Sequence, residues 1–292
     1  MPINIQTLKT RSLTAAVFVV VMLVGLLWNQ WSFFILFSIV HFGCWIEYQK
    51  LVALIDPEYA GITPFHKYGV MLTGWCAMLF AAGDAYQIGS VSLGSIGWWL
   101  GLVFVFILPV IEFLFTREVS LKNIGYSVLG LLYVSVSWAM MIDLWNVSIV
   151  DETKVGHPSF YKKLFPLLII LSIWINDTMA YIVGSLIGKT PFSSISPKKT
   201  WEGTAGGGLL CVAIITLSLR SIMPWQTLLA ISAICAVVGT AGDLLESKLK
   251  RMAGVKDSGH IMPGHGGFLD RFDSLLLALP FVWIYMKLTT GF

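Results

Sequence analysis

Charge is scarce in this chain. Only 12% of its 292 residues are Asp, Glu, Lys or Arg, while 57% are hydrophobic, and the mean hydropathy is +0.79. No water-soluble domain of this length requires so much apolar surface, so a globular soluble protein is excluded. The net charge of +3 is too small for a nucleic-acid binder. Cysteine is also sparse. Cys44, Cys76, Cys211 and Cys235 all lie inside apolar segments, without metal-ligand spacing. That excludes a zinc module or a disulfide framework and leaves them as packing residues. Long polar stretches are missing too, so no soluble domain fits between the apolar runs.

What is present is a series of apolar runs. A spanning helix needs about 20 mostly apolar residues, and about nine runs qualify. They fall near 11–28, 31–47, 68–84, 97–115, 124–145, 164–188, 203–220, 225–242 and 268–289. The chain therefore reads as an all-α integral membrane protein of about nine transmembrane helices. Lys9 and Arg11 before the first run resemble a signal peptide, but no small-x-small cleavage site follows, so a retained helix is expected. The first two runs should form a hairpin. The basic loops set the orientation. With the N-terminus cytoplasmic, Lys189, Lys198, Lys199, Lys248, Lys250, Arg251 and Lys256 fall on the cytoplasmic side. Lys154, Lys162 and Lys163 fall opposite, against the trend.

Residues 1–145 read as a helical scaffold and 146–292 as the part carrying the site, within one continuous membrane domain. Trp28, Trp31, Trp98, Trp99 and Trp145 sit at segment ends, as interface anchors do. Glu112 and Asp143 lie close enough to helix ends to reach the headgroups. His41 and His66 stand alone and read as hydrogen-bonded structural histidines. A short surface helix is a weak alternative over 47–60.

The second half is different. Asp177 follows Asn176 near the middle of a run, where a carboxylate needs a partner or a wet cavity. Ala180, Gly184 and Gly188 recur every fourth residue, and Gly203 and Gly207 repeat the spacing, which suits close helix packing. Gly188-Lys189-Thr190 resembles the end of a P-loop, but the upstream glycine and the preceding strand are missing, so that reading fails. Ser196, Lys198, Lys199 and Thr200 offer hydroxyls and charge to phosphates; anchoring to anionic lipid explains the lysines equally well.

The densest polar stretch runs from Ser247 to Asp273. At its start, Asp243, Glu246 and Ser247 fall on one helical face, and Asp270 and Asp273 are spaced i, i+3 at the start of the last run. Such hard-oxygen clusters suit Mg2+, which keeps waters and binds through one or two carboxylates plus substrate phosphates. Lys250, Arg251, Lys256 and Arg271 add positive charge, and Gly264-His265-Gly266-Gly267 allows backbone N–H groups to approach an anion. Metal-dependent chemistry on phosphates at the cytoplasmic face is the reading.

At these residues the sequence also resembles a family. Ser247-x-Leu-Lys-Arg251, then Lys256-Asp257, then Pro263-x-His265-Gly-Gly267-x-x-Asp270-Arg-x-Asp273 looks like the signature of phosphatidate cytidylyltransferases, the CDP-diacylglycerol synthases. Ser196-Pro-Lys-Lys-Thr-Trp-Glu-Gly203 and Asn176-Asp177 with Gly188-Lys189 resemble further blocks. The resemblance spans roughly 165–275. Met262 replaces the usual Leu, Ile or Phe, and Ser185 stands where an arginine is common.

The resemblance implies that CTP and phosphatidic acid give CDP-diacylglycerol and pyrophosphate in a bacterial-type cytoplasmic membrane, as part of phospholipid biosynthesis. It implies that Asp243, Asp270 and Asp273 hold Mg2+, with K+ as a second cation, and that Asp177 supports the site. Lys198, Lys199, Lys256 and Arg271 would neutralise phosphates, and His265 would meet pyrophosphate. Lys250 and Arg251, with Ser196 and Thr200, join the substrate-binding set. A homodimer is left open. Two alternatives stay open: a CTP-dependent polyprenol or diacylglycerol kinase, and a lipid transporter. The transporter is disfavoured because no internal repeat is visible.

Overall fold

The computed structural model describes residues 5–115, 120–147, 164–261 and 266–290. They are almost wholly helical, and seven helices are long and apolar enough to cross a membrane. The protein is a multi-pass membrane protein. Its helices are α1 (Ile5–Leu27), α2 (Gln30–Ile55), α3 (Pro57–Ala60), α4 (Pro64–Ala82) and α5 (Leu93–Phe115). Then come α6 (Leu121–Trp145), α7 (Leu164–Ile187), α8 (Trp201–Leu219), α9 (Trp225–Met252) and α10 (Leu269–Thr290). Helices α1 and α4 correspond to the first and third expected spans but are not among the seven; the apolar part of α1 is Leu13–Leu27. The expected stop of the eighth span at 242 is too early. Helix α9 continues to Met252 through strong helix formers, with a Glu246–Lys250 ion pair one turn apart.

The chain divides into two compact units, Met1–Asn146 with Met252–Arg271, and Val147–Arg251 with Phe272–Phe292.

In the first unit the expected hairpin forms, and Asn29 explains its sharp turn. Asn29 Oδ1 accepts from Ser32 N–H at 2.9 Å, and Ser32 Oγ accepts from Asn29 N–H at 3.0 Å. This reciprocal cap satisfies donors that the start of α2 would otherwise leave unpaired. Helix α2 runs on to Ile55, and Asp56 both ends it and caps α3 through Glu58 N–H at 3.2 Å. The weak 47–60 helix expected on the surface is therefore mostly the continuation of α2. Lys122 approaches Asp56 at 2.6 Å and holds its carboxyl below the usual aspartate range. A two-stranded hairpin, β1 (Gln87–Ile88) and β2 (Val91–Ser92), turns at Gly89, whose φ of +64° favours glycine.

The core of this unit is aromatic. Phe33 stacks on Trp145 at 4.2 Å between centroids, and Phe37 packs on Trp138 at 5.0 Å. Trp145 is therefore a core residue, which corrects its reading as an interface anchor; as the last residue of α6 it points inward. Trp28, Trp98 and Trp99 are exposed, as anchors should be. Within α6 a π-helical turn over Leu131–Val136 carries Ser135, whose hydroxyl meets His41 Nε2 at 3.0 Å and Trp45 Nε1–H at 2.8 Å. His66 contacts Glu112 Oε1 at 3.1 Å and Ser127 Oγ at 2.7 Å. Both histidines are bonded and buried, as the sequence suggested.

In the second unit, α7 and α8 pack along their small residues. A Cβ at Gly203 would lie 2.8 Å from both Ala180 O and Gly184 Cα, so only glycine allows this approach. Gly242 of α9 does the same against the last helix, where a Cβ would lie 2.6 Å from Asp273 O and 3.1 Å from Ser274 Cα.

Candidate active site

Each unit carries part of the polar sequence. In the second unit, the 188–200 loop folds on itself. Phe192 N–H donates to Lys199 O at 2.8 Å and Trp201 N–H to Thr190 O at 2.9 Å. Thr200 is the N-cap of α8, its Oγ1 accepting from Gly203 N–H at 3.1 Å. Ser196 closes a turn by accepting from Lys199 N–H at 3.1 Å through its carbonyl. Glu202 reaches back to Lys189 N–H at 3.1 Å, Thr190 N–H at 3.1 Å and Thr190 Oγ1 at 2.8 Å. A P-loop leaves such N–H groups for a phosphate. Here the chain's own carboxylate takes them, which is a physical reason for the failure of the Walker reading.

The close approach at Gly242 brings the acids of α9 and α10 together. Asp243, Glu246 and Asp177 are all within electrostatic reach of Asp273. Asp273 is 8% and Glu246 0% exposed, and Asp273 Oδ1 accepts from Ser274 N–H at 2.6 Å. Lys199 pairs with Asp243 and Lys250 with Glu246. Asp177 is exposed on α7, with Asn176 Nδ2 3.5 Å from its Oδ1. Lys198 and Arg251 are exposed.

In the first unit, Lys256 and Arg271 are exposed and Asp270 is half-buried. Asp270 Oδ2 accepts from Ser258 N–H at 2.9 Å, Ser258 Oγ–H at 2.9 Å and Gly267 N–H at 2.8 Å. Glu47 of α2, which the sequence did not single out, accepts from Ser258 Oγ–H at 2.7 Å and from Phe268 and Leu269 N–H at 2.9 Å each. His265 and Met262 lie outside the described residues, as do the lysines of 148–163.

Among the described residues, no three His, Cys, Asp or Glu side chains converge closely enough to hold a metal ion by themselves. Electrostatic reach exceeds ligation distance, so this agrees with the gathering around Asp273. Mg2+ asks for less, since one or two carboxylates suffice when waters and substrate phosphates complete the shell. Several acids sharing one partly buried region is unfavourable without cations. The oxygen donors here suit a hard cation, while the thiols are buried in apolar surroundings.

A cavity of about 310 Å3 opens among α4, α5 and α6, lined by Val70, Phe104, Leu108, Val128 and Leu131, with His66 and Glu112. Its lining is almost entirely apolar, so it does not suit a triphosphate, and it includes none of the predicted site residues.

Comparison with known proteins bears on the same residues. A model of the cytidylyltransferase family matches residues 9–289. The chain is 31% identical over 287 residues to a phosphatidate cytidylyltransferase of Bacillus subtilis, covering 97% of each. It is 34% identical over 233 residues to one of Staphylococcus haemolyticus, covering 74% of this chain and 89% of that one. Against one of Staphylococcus saprophyticus the identity is 47% over 121 residues, 40% of this chain and 46% of the relative. The match spans both the helical first half and the polar stretches of the second, and on that evidence the chain belongs to the cytidylyltransferase family.

Proposed function

We propose that this enzyme transfers the cytidylyl group of CTP to phosphatidic acid, giving CDP-diacylglycerol and pyrophosphate for phospholipid synthesis. The observation that carries the reading is the near-complete alignment with a phosphatidate cytidylyltransferase. The acids and lysines at the ends of α8, α9 and α10 support it. An oxygen of the lipid phosphate attacks the α-phosphorus of CTP; that P–O bond forms as the bond to the β-phosphate oxygen breaks. The nucleophile is already an anion, so no strong general base is required. The protein's task is positioning and charge neutralisation.

Asp243, Asp270 and Asp273 would hold Mg2+, with K+ as a second cation, and the metal would supply charge stabilisation to the transferring phosphoryl group. Lys198, Lys199, Lys250, Arg251, Lys256 and Arg271 neutralise the phosphates of CTP and lipid. Ser196 and Thr200 offer hydroxyl donors, Asp177 supports the acids, and His265 meets pyrophosphate. In this reading Lys199 exchanges its contact with Asp243 for a phosphate when substrate enters. The N-terminus and polar loops face the cytoplasm, where CTP is found, and the nine expected spans cross a bacterial cytoplasmic membrane.

The test supplies purified protein with CTP, phosphatidic acid and Mg2+ in mixed micelles and analyses the lipids by mass spectrometry. CDP-diacylglycerol is expected. A folded preparation that yields none would overturn the reading.

A further inference from the structure

We propose that Glu47 is a positioning residue for this site: it holds the start of α10 and, through Ser258, orients the carboxylate of Asp270. The inference deepens the proposed function and rests on it in one respect, that Asp270 serves the reaction.

Glu47 lies in α2, directly after the apolar run Phe42–Ile46 and before Tyr48, Gln49 and Lys50, and is only 5% exposed. A carboxylate so placed is unfavourable unless it is fully hydrogen-bonded. Its partners come from more than 200 residues away along the chain, the Ser258 contact separated by 211 positions. The first N–H groups of a helix lack intrahelical partners and attract negative charge. At α10 the residue before the helix is Phe268, which has no side-chain acceptor. Glu47 supplies one instead, taking the N–H groups of Phe268 and Leu269 on separate oxygens.

The glycines on either side fit this role. A Cβ at Gly259 would lie 2.8 Å from Glu47 Cδ, and one at Gly267 would collide with the carboxylate. The backbone can wrap Glu47 only because both positions lack side chains.

The same wrap determines where Asp270 points. Three donors converge on Asp270 Oδ2: Ser258 N–H, Ser258 Oγ–H and Gly267 N–H. Ser258 Oγ is also 2.7 Å from Glu47 Oε2, and Gly267 directly precedes the two N–H groups that Glu47 holds. A hydroxyl has one proton, so Ser258 serves the two carboxylates alternately and couples their positions. A glutamine at 47 keeps one acceptor but turns NH2 hydrogens toward an N–H or toward Ser258. It must lose at least one contact, and Asp270 loses its fixed orientation with it.

The experiment compares wild type with Glu47→Gln. Mn2+ binding to the purified protein without substrate is followed by EPR, and turnover of CTP and phosphatidic acid is measured across Mg2+ concentrations. Residues that orient a metal ligand typically alter metal affinity by about 10–100-fold. Mn2+ binding should therefore weaken about tenfold or more, and half-saturating Mg2+ should rise in step. Excess Mg2+ should restore part of the turnover. A merely structural cap would lower activity equally at every Mg2+ concentration and leave Mn2+ binding unchanged; that result, or wild-type behaviour throughout, overturns the proposal. Should Glu47→Gln fail to insert, Ser258→Ala keeps the backbone contacts of Glu47 and removes only the coupling hydroxyl. It should weaken Mn2+ binding in the same direction, and unchanged binding would overturn the proposal. Absence of CDP-diacylglycerol from wild type would sink the functional reading instead, while the Mn2+ comparison would still judge the role of Glu47.

Discussion

Two adjacent glycines of α8 should respond oppositely to the same substitution. At Gly207 a Cβ would lie 2.5 Å from Ala180 N and 2.6 Å from Ala180 Cα. Nonbonded carbon atoms sit about 3.5–4.0 Å apart at their optimum, so α7 and α8 would have to separate by about 1 Å. The obstructing atoms are backbone and cannot rotate away. Overpacking of this kind costs about 1–3 kcal/mol, offset by up to about 1 kcal/mol of helix propensity gained over glycine. Gly207→Ala should thus be destabilising by up to about 2 kcal/mol. At Gly208 the nearest atoms are Ala236 Cβ at 3.5 Å and Asn176 Oδ1 at 3.9 Å, which is ordinary contact. Gly208→Ala should keep the propensity gain and stabilise by about 0.5–1 kcal/mol. The two variants then differ by about 2 kcal/mol, roughly thirtyfold in the unfolding equilibrium. Reversible unfolding in mixed detergent micelles, followed by circular dichroism, measures this. Equal stability of the two variants would refute the close α7–α8 approach.

Lys199→Met removes a cation from Asp243 and, in the proposed reaction, from a substrate phosphate. Hydrogen bonds to charged groups contribute about 1.5–3 kcal/mol, so kcat/KM should fall about 10–100-fold, as initial rates against CTP would show. Asp56→Asn tests the contact with Lys122. The folded carboxyl titrates below its ordinary value, so its contribution is fully present above the ordinary aspartate range and lost as pH falls through the folded value. Wild type should exceed the variant in thermal stability at neutral pH, and the gap should close in acid. A gap that stays constant through the acid range would contradict the pairing.

The sequence was informative where physics acts locally. Apolar runs of spanning length became helices because a chain in lipid must satisfy its backbone internally. The fourfold spacing of Ala180, Gly184, Gly203 and Gly207 was readable because helical geometry puts those residues on one stripe. Trp145 was misjudged because position at a helix end does not tell which way a ring points. Glu47 was missed for a different reason. Nothing near it in the chain hints at chemistry, and its partners around Ser258 and Leu269 are reached only through folding. Glu202 belongs to the Ser196–Gly203 motif, yet its closure of the Lys189–Thr190 turn arises only when the loop folds back.

Where the phosphates of CTP go separates a cytidylyltransferase from a kinase. Purified protein should be given phosphatidic acid with CTP labelled in parallel reactions at the α- or the γ-phosphate. The α-label should enter the lipid and the γ-label should leave as pyrophosphate. Transfer of γ-label to a lipid with release of CDP would mark a lipid kinase and contradict cytidylyl transfer.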